Sequence, residues 1–235
     1  MEIQELTKIS PLRVFEDSIG GGLGRGNLGV LVSRHGVGKT ACLVHLATDK
    51  LFRGEHVIHV SFSGNVEHVI NWYKEVFQEV SEKRHLVSSS NVYDELLANR
   101  VVMNFSQDMV SIDKVLSSLE TLISAGSFKA DAILFDGFKL TTANINDVKK
   151  IKEFAARLNV EVWFSVSPVR DDVKYDEYGV PETVLPYLEV IDILIGLKMN
   201  KEGDSVKMTL VKERDKVIDK HLAVCLDPKT MLIST

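Results

Sequence analysis

Several things are scarce in this sequence, and each shortage narrows what the chain can be. It has two cysteines in 235 residues. Cys42 and Cys225 lie far apart in apolar surroundings, which makes neither a disulfide framework nor a zinc pattern and points to a reducing compartment. Basic charge is not in excess: 28 lysines and arginines face 33 aspartates and glutamates, for a net charge of -5. A chain of that balance does not coat nucleic acid by bulk electrostatics, although a local basic groove stays open to it. No apolar run approaches the ~20 residues needed to span a bilayer. The opening MEIQELTKIS is too mixed and polar for a signal peptide. Together these shortages predict a cytoplasmic protein without a membrane partner.

What is there suits one globular unit. Hydrophobic residues make up 45% and charged residues 26%, enough to bury a sizeable core. The length fits a single domain over 1–235, with 1–13 as a lead-in. A glycine-rich turn, SIGGGLGRGN (18–27), precedes the apolar run LGVLV (28–32). HVIHVSF (56–62), RVVMNF (100–105), DAILFD (131–136) and VEVWFSVS (160–167) read as further strands. Helices are expected from Thr40, from Asn65 (its cap, followed by Val66, Val69, Ile70 and Tyr73 at helical spacing), over 109–124, and over 146–159. SEKRHLVSSSN (81–91) reads as a polar connection. Residues 168–190 hold three of the five prolines and read as a long loop. Three closing strands follow, VIDILIGLKM, SVKMTLVKE and KHLAVCLD, with turns at 201–204 and near 215–219. Strand-helix alternation followed by a meander predicts an α/β fold: a twisted, mostly parallel sheet flanked by helices and closed by C-terminal antiparallel strands.

The stretch SRHGVGKTA (33–41) carries the chemistry. Holding a triphosphate takes converging backbone N–H groups, a lysine on the outer phosphates and a hydroxyl on magnesium. Arg34, His35, Gly36, Val37, Gly38, Lys39, Thr40 and Ala41 supply the loop, with Lys39 and Thr40 in the last two roles. A chance G-x-G-K-[ST] in such a chain has a probability on the order of one percent, and this one sits between a strand and a helix. The full pattern G-x-x-x-x-G-K-[ST], the Walker A loop, wants glycine where this chain has Ser33. Serine costs little there if φ is negative. Asp136, ending a buried strand, fits the second carboxylate that a magnesium ion needs; its plainer reading is a turn residue.

VFEDSIGGGLGRGNLGVLVSRHGVGKT (14–40) resembles the entry segment of the RecA-like P-loop ATPases, and among them the KaiC-like single-domain members. The likeness continues in VIHVSFSGNVEHV, ADAILFD and LVKERDKVIDKHLAVCLDP. The resemblance implies a RecA-like core, ATP with Mg2+ as cofactors, and self-association, a hexameric ring being one form. In such rings a Lys-x-Arg pair from the neighbour reaches the γ-phosphate, and Lys212 and Arg214 stand at those positions; otherwise they are a charged strand end. Ser165 or Ser167 would lie near the γ-phosphate.

One departure matters. KaiC-like proteins end their second strand in a glutamate pair, one of which activates the attacking water. Here Ser63 and Gly64 occupy those positions, and neither takes a proton from water. Glu67, three residues on, reads as first-turn helix decoration favourable to the dipole, with a substitute-base role as the alternative. General-base assistance is worth about 10²–10⁴-fold, so the expectation is a nucleotide-binding regulatory or assembly module with weak hydrolysis and a protein partner. The alternative is a competent Mg-ATPase acting in DNA recombination or repair through single-stranded DNA. Against it, Arg170 and Lys174 in the 168–190 loop are outnumbered by Asp171, Asp172, Asp176, Glu177, Glu182 and Glu189, which repel phosphates. Tyr175 and Tyr178 remain able to stack on bases.

Overall fold

The computed structural model describes residues 7–8, 10–63, 65–84, 89–106, 110–125, 128–168, 173–175 and 180–235. The apolar runs fold as strands: β1 (Leu28–Val32), β2 (Val57–Ser61), β3 (Arg100–Asn104), β4 (Ala132–Asp136) and β5 (Glu161–Val166). β1, β2 and β4 are buried at every position, as unbroken apolar strands in a parallel sheet must be. The helices are α1 (Pro11–Ser18), α2 (Lys39–Phe52), α3 (Glu67–Arg84), α4 (Ser89–Ala98), α5 (Ile112–Ser124) and α6 (Ile145–Leu158). The chain closes with β6 (Ile193–Met199), β7 (Val206–Glu213), β8 (Lys216–Leu226) and the short β9 (Ile233–Ser234).

All nine strands form one sheet in the order β3-β2-β4-β5-β1-β6-β7-β8-β9. Pairing is parallel from β3 across to β6 and antiparallel from β6 to β9. The fold is therefore α/β with a mixed sheet, a parallel core and antiparallel closing strands. Alternation along each strand sorts the core into two layers. Leu31, Leu134 and Trp163 face α1, α2 and α3 with Phe15, Leu43, Val44 and Tyr73. Val30, Ile133 and Phe164 face α5 and α6 with Val115, Leu119, Val148 and Ile151. The links after β1 and β2 run over one face, and those after β3, β4 and β5 over the other. The neighbours β1 and β5, and likewise β2 and β4, thus send their chains to opposite faces at their carboxyl ends, the geometry that opens a ligand crevice in α/β sheets.

Local chemistry sets the helix limits. Asn65 Oδ1 accepts from the Glu67 N–H at 2.9 Å, Ser111 caps α5, and Asn144 caps α6, which ends at Asn159 in the left-handed region. Sequence patterning misses α1, because Leu12 and Phe15 are its only buried residues. It also misses α4, reading 81–91 as a connection where α3 runs to Arg84 and a second helix begins at Ser89. The expected turn at 215–219 tightens to Arg214 and Asp215, and β8 starts at Lys216. Part of the proline-rich loop, Glu182–Tyr187, is a 3-10 helix. Of that loop, 169–172 and 176–179 lie outside the described residues, and with them Arg170, Tyr178 and four of the six acidic side chains. Among the described residues, no helix is long and apolar enough to cross a membrane.

Gly29 shows how tightly the helical layer is fitted. A Cβ built there would lie 2.4 Å from the Trp163 ring, which is 2% exposed and packs against Phe15 at 6.2 Å between centroids. The ring has nowhere to go, so Gly29→Ala should destabilise the protein by about 1–3 kcal/mol, the usual cost of overpacking. Gly196→Ala is the control, since its new methyl would meet nothing closer than 3.8 Å. Equal denaturation midpoints for the two variants would contradict the packing argument.

Candidate functional site

The loop after β1 enters α2 through Gly38, whose φ of 108° lies in the left-handed region. A Cβ at Gly38 would also lie 2.4 Å from Leu226 Cδ2, so a larger residue would strain the backbone and displace that side chain as well. No side chain caps this helix, which leaves the first-turn N–H groups of Lys39, Thr40 and Ala41 and the positive end of the dipole facing outward. Ser33 is absent from the residues with positive φ; serine thus fits the strand-loop junction without strain. Arg34, His35 and Gly36 are exposed, while Lys39 is buried.

Lys39 folds back into its own loop. Its Nζ donates to the Ser33 carbonyl at 3.0 Å, to Ser33 Oγ at 3.0 Å and to the Arg34 carbonyl at 2.7 Å. Burial lowers its pKa to about 8, against the opposing pull of Asp136. An amine in this state is ready to regain full charge against an anion.

β4 delivers Asp136 to the same place. Register aligns Ser61, Asp136, Ser165 and Leu31 in one row across β2, β4, β5 and β1, so three polar side chains stand level on the α2 face. Thr40 Oγ1 lies 3.1 Å from each carboxylate oxygen of Asp136. Ser165 Oγ donates to Asp136 Oδ1 at 2.5 Å and accepts from the Gly137 N–H at 2.9 Å. Burial pushes the Asp136 carboxyl up. The His59 imidazole facing it and the hydrogen bonds from Ser165 and Thr40 outweigh that, leaving it below its ordinary value and ionised at neutral pH.

The other expected residues fall in different places. Ser63 is exposed just past β2, its Oγ 2.8 Å from Ser61 Oγ and donating to the Asn65 carbonyl at 3.0 Å. Gly64 lies outside the described residues. Glu67 is exposed on the first turn of α3. Ser165 holds Asp136 directly, whereas Ser167 is half-buried beyond the end of β5. Lys212 and Arg214 sit at the β7–β8 turn, beside the amino-terminal end of β6. That is the opposite end of the sheet from the loop, about 16 Å away along five strand residues. Lys212 is 8% exposed and donates to the carbonyls of Ile191 and Arg214; burial lowers its pKa. Arg214 donates to the Leu23 carbonyl at 2.8 Å. Neither reaches the loop of its own chain.

Sequence reading overlooked His59 and Tyr73. His59 is fully buried in β2, with Nδ1 3.1 Å from the Tyr73 hydroxyl and Nε2 3.8 Å from Asp136 Oδ2. The available signal was a histidine inside an otherwise apolar strand, two residues before Ser61 and therefore on its face.

Thr40 and Asp136 suit a magnesium ion. Ligands at about 2.1 Å in an octahedron place neighbouring oxygens about 3.0 Å apart, close to the observed 3.1 Å. Magnesium usually takes one or two protein oxygens beside water and phosphate. A site without a cluster of three acidic or histidine ligands, which is the case among the described residues, is therefore adequate. Compared with known proteins, the chain matches no family model and no curated sequence.

Proposed function

We propose that this chain binds ATP with Mg2+ as a RecA/KaiC-like P-loop protein and turns it over slowly, serving as a regulatory or assembly module. The observation that carries the reading is the convergence of Lys39, the uncapped start of α2, Thr40 and Asp136 at the carboxyl ends of β1 and β4. Supporting it, the loop lies in the crevice where neighbouring strands send their chains to opposite faces.

In this reading the backbone N–H groups of 36–41 and the start of α2 hold the phosphates. Lys39 leaves Ser33 and Arg34 to span the outer ones. Thr40 Oγ1 and Asp136 hold the magnesium ion, which would neutralise phosphate charge, and Ser165 keeps the carboxylate in place. The end of β2 offers the exposed Ser63 hydroxyl, which can orient a water but not deprotonate it at neutral pH.

Because Lys212 and Arg214 lie at the far end of the sheet, any contact they make with nucleotide comes from a neighbouring subunit. Mass measurement in solution with and without Mg-ATP tests binding and assembly together. Nucleotide-dependent growth beyond the monomer, weakened in Arg214→Ala, is expected for a ring. A protein that stays monomeric with ATP at high concentration removes the ring and leaves those two side chains as internal ties. The folded state of Arg214→Ala must be checked by its melting curve, since it also loses the bond to Leu23.

A further inference from the structure

Behind Asp136 runs a buried polar chain that phosphate binding does not require. His59 is 0% exposed, and its Nε2 has no hydrogen-bond partner among the described residues. Its ring meets Tyr73 edge to face, 5.7 Å between centroids. Tyr73 is 2% exposed, with the Arg100 guanidinium 4.2 Å over its ring. The neighbours of His59 along the strand are Ile58 and Val60, both fully buried. An aliphatic residue at 59 would avoid the cost of an orphaned buried nitrogen. What the imidazole adds is a donor aimed at a carboxylate.

We propose that His59 is a positioning residue that aims the Asp136 carboxylate at a divalent cation, with the Tyr73 hydroxyl fixing which ring nitrogen carries the proton. The inference rests on the reading of Thr40 and Asp136 as the metal-holding pair.

The tautomer follows from hydrogen-bond accounting. The buried Tyr73 phenol keeps its proton, because burial raises its pKa, and that proton needs an acceptor. His59 Nδ1 is the acceptor in reach at 3.1 Å. With Nδ1 accepting, the ring proton sits on Nε2, the nitrogen that faces Asp136 Oδ2 at 3.8 Å. The other tautomer would aim a lone pair at the carboxylate and leave the phenol proton unpaired. Asp136 is consequently flanked: Ser165 holds Oδ1 at 2.5 Å, His59 faces Oδ2, and the edge between them is presented evenly to Thr40. Outer partners of this kind commonly set the orientation of a metal-binding carboxylate.

The test reads the Mg2+ half-saturation of ATP binding by calorimetry in wild type, His59→Phe, His59→Gln and Tyr73→Phe. His59→Phe keeps the packing and loses the donor. It should raise the Mg2+ half-saturation about 10–100-fold, while ATP binding in EDTA stays within about twofold. His59→Gln, which can return an N–H near the Nε2 position, should recover most of the loss. An unchanged Mg2+ dependence in His59→Phe overturns the proposal, and so does an equal loss with and without Mg2+. If His59→Phe fails to fold, Tyr73→Phe decides by the same readout, with a rise in half-saturation expected. Independently, 15N spectra of the imidazole should show protonated Nε2 and bare Nδ1 in wild type; the opposite pattern overturns the proposal. A wild type that binds no ATP in either condition would defeat the nucleotide reading instead. Mn2+ alone, followed by electron paramagnetic resonance, then decides the positioning role: binding weakened in His59→Phe supports it, and no binding ends it.

Discussion

Replacing Lys39 with alanine is expected to abolish most of the thermal stabilisation that Mg-ATP confers. A ligand at 100 times its dissociation constant stabilises the folded state by about 2.7 kcal/mol. For a chain of this size that is a rise in melting temperature of roughly 5–10 °C. Lys39 is the buried cation of the loop, its amine sits among the loop carbonyls with three hydrogen bonds, and in the proposed site it spans the outer phosphates. Its removal should therefore shrink the ligand-induced shift to a small fraction. The change in ligand-free stability should be smaller, since the lost partners Ser33 and Arg34 lie at the loop itself.

The same group sets a pH dependence. In the ligand-free protein burial lowers the Lys39 pKa to about 8, below its ordinary value, and a bound phosphate would raise it again. Between those values binding must take up a proton, so the Mg-ATP shift should decline as pH rises above about 8. The unliganded protein responds in the opposite sense. Its unfolded state binds more protons than the folded one between about pH 8 and the ordinary lysine value, so this group's contribution to stability rises with pH there. Lys39→Ala should lose both trends. Melting curves at millimolar Mg-ATP across pH 7–10 provide the measurement, and an unshifted wild-type curve at neutral pH would remove the nucleotide site from consideration.

The second large effect is on hydrolysis. Wild-type turnover is expected well below 1 s⁻¹, lower by roughly the 10²–10⁴-fold that a general base supplies. Ser63 lies just beyond Ser61, which is level with Asp136 across the sheet. A carboxylate at 63 would stand at the mouth of the site, and Ser63→Glu should raise the rate of phosphate release. The substitution costs the bonds of Ser63 Oγ to Ser61 and Asn65, so its melting curve must be measured beside it. Glu67→Gln should change little, because Glu67 is exposed and its N–H is already capped by Asn65. Brisk wild-type hydrolysis lost in Glu67→Gln would instead make Glu67 the base and the protein a complete ATPase.

What the sequence determined by itself is what short-range rules govern. Apolar runs of five or so residues became strands, buried throughout in β1, β2 and β4, and Asn65, Ser111 and Asn144 capped helices through their own side chains. Gly38-Lys39-Thr40 marked the start of α2, because such a loop depends on residues adjacent in the chain. Asp136 was legible as the end of a buried strand. The tertiary structure decided everything that depends on register between strands distant in sequence. Only the pairing of β2 with β4 brings His59 and Ser61 to the Asp136 side, and only the packing of α3 sets Tyr73 against His59. Only the order of the sheet puts Lys212 and Arg214 at its far end, where burial turns a charged pair into ties to the main chain. Side-chain type is written residue by residue, but which groups share a buried space is fixed when the core closes around them.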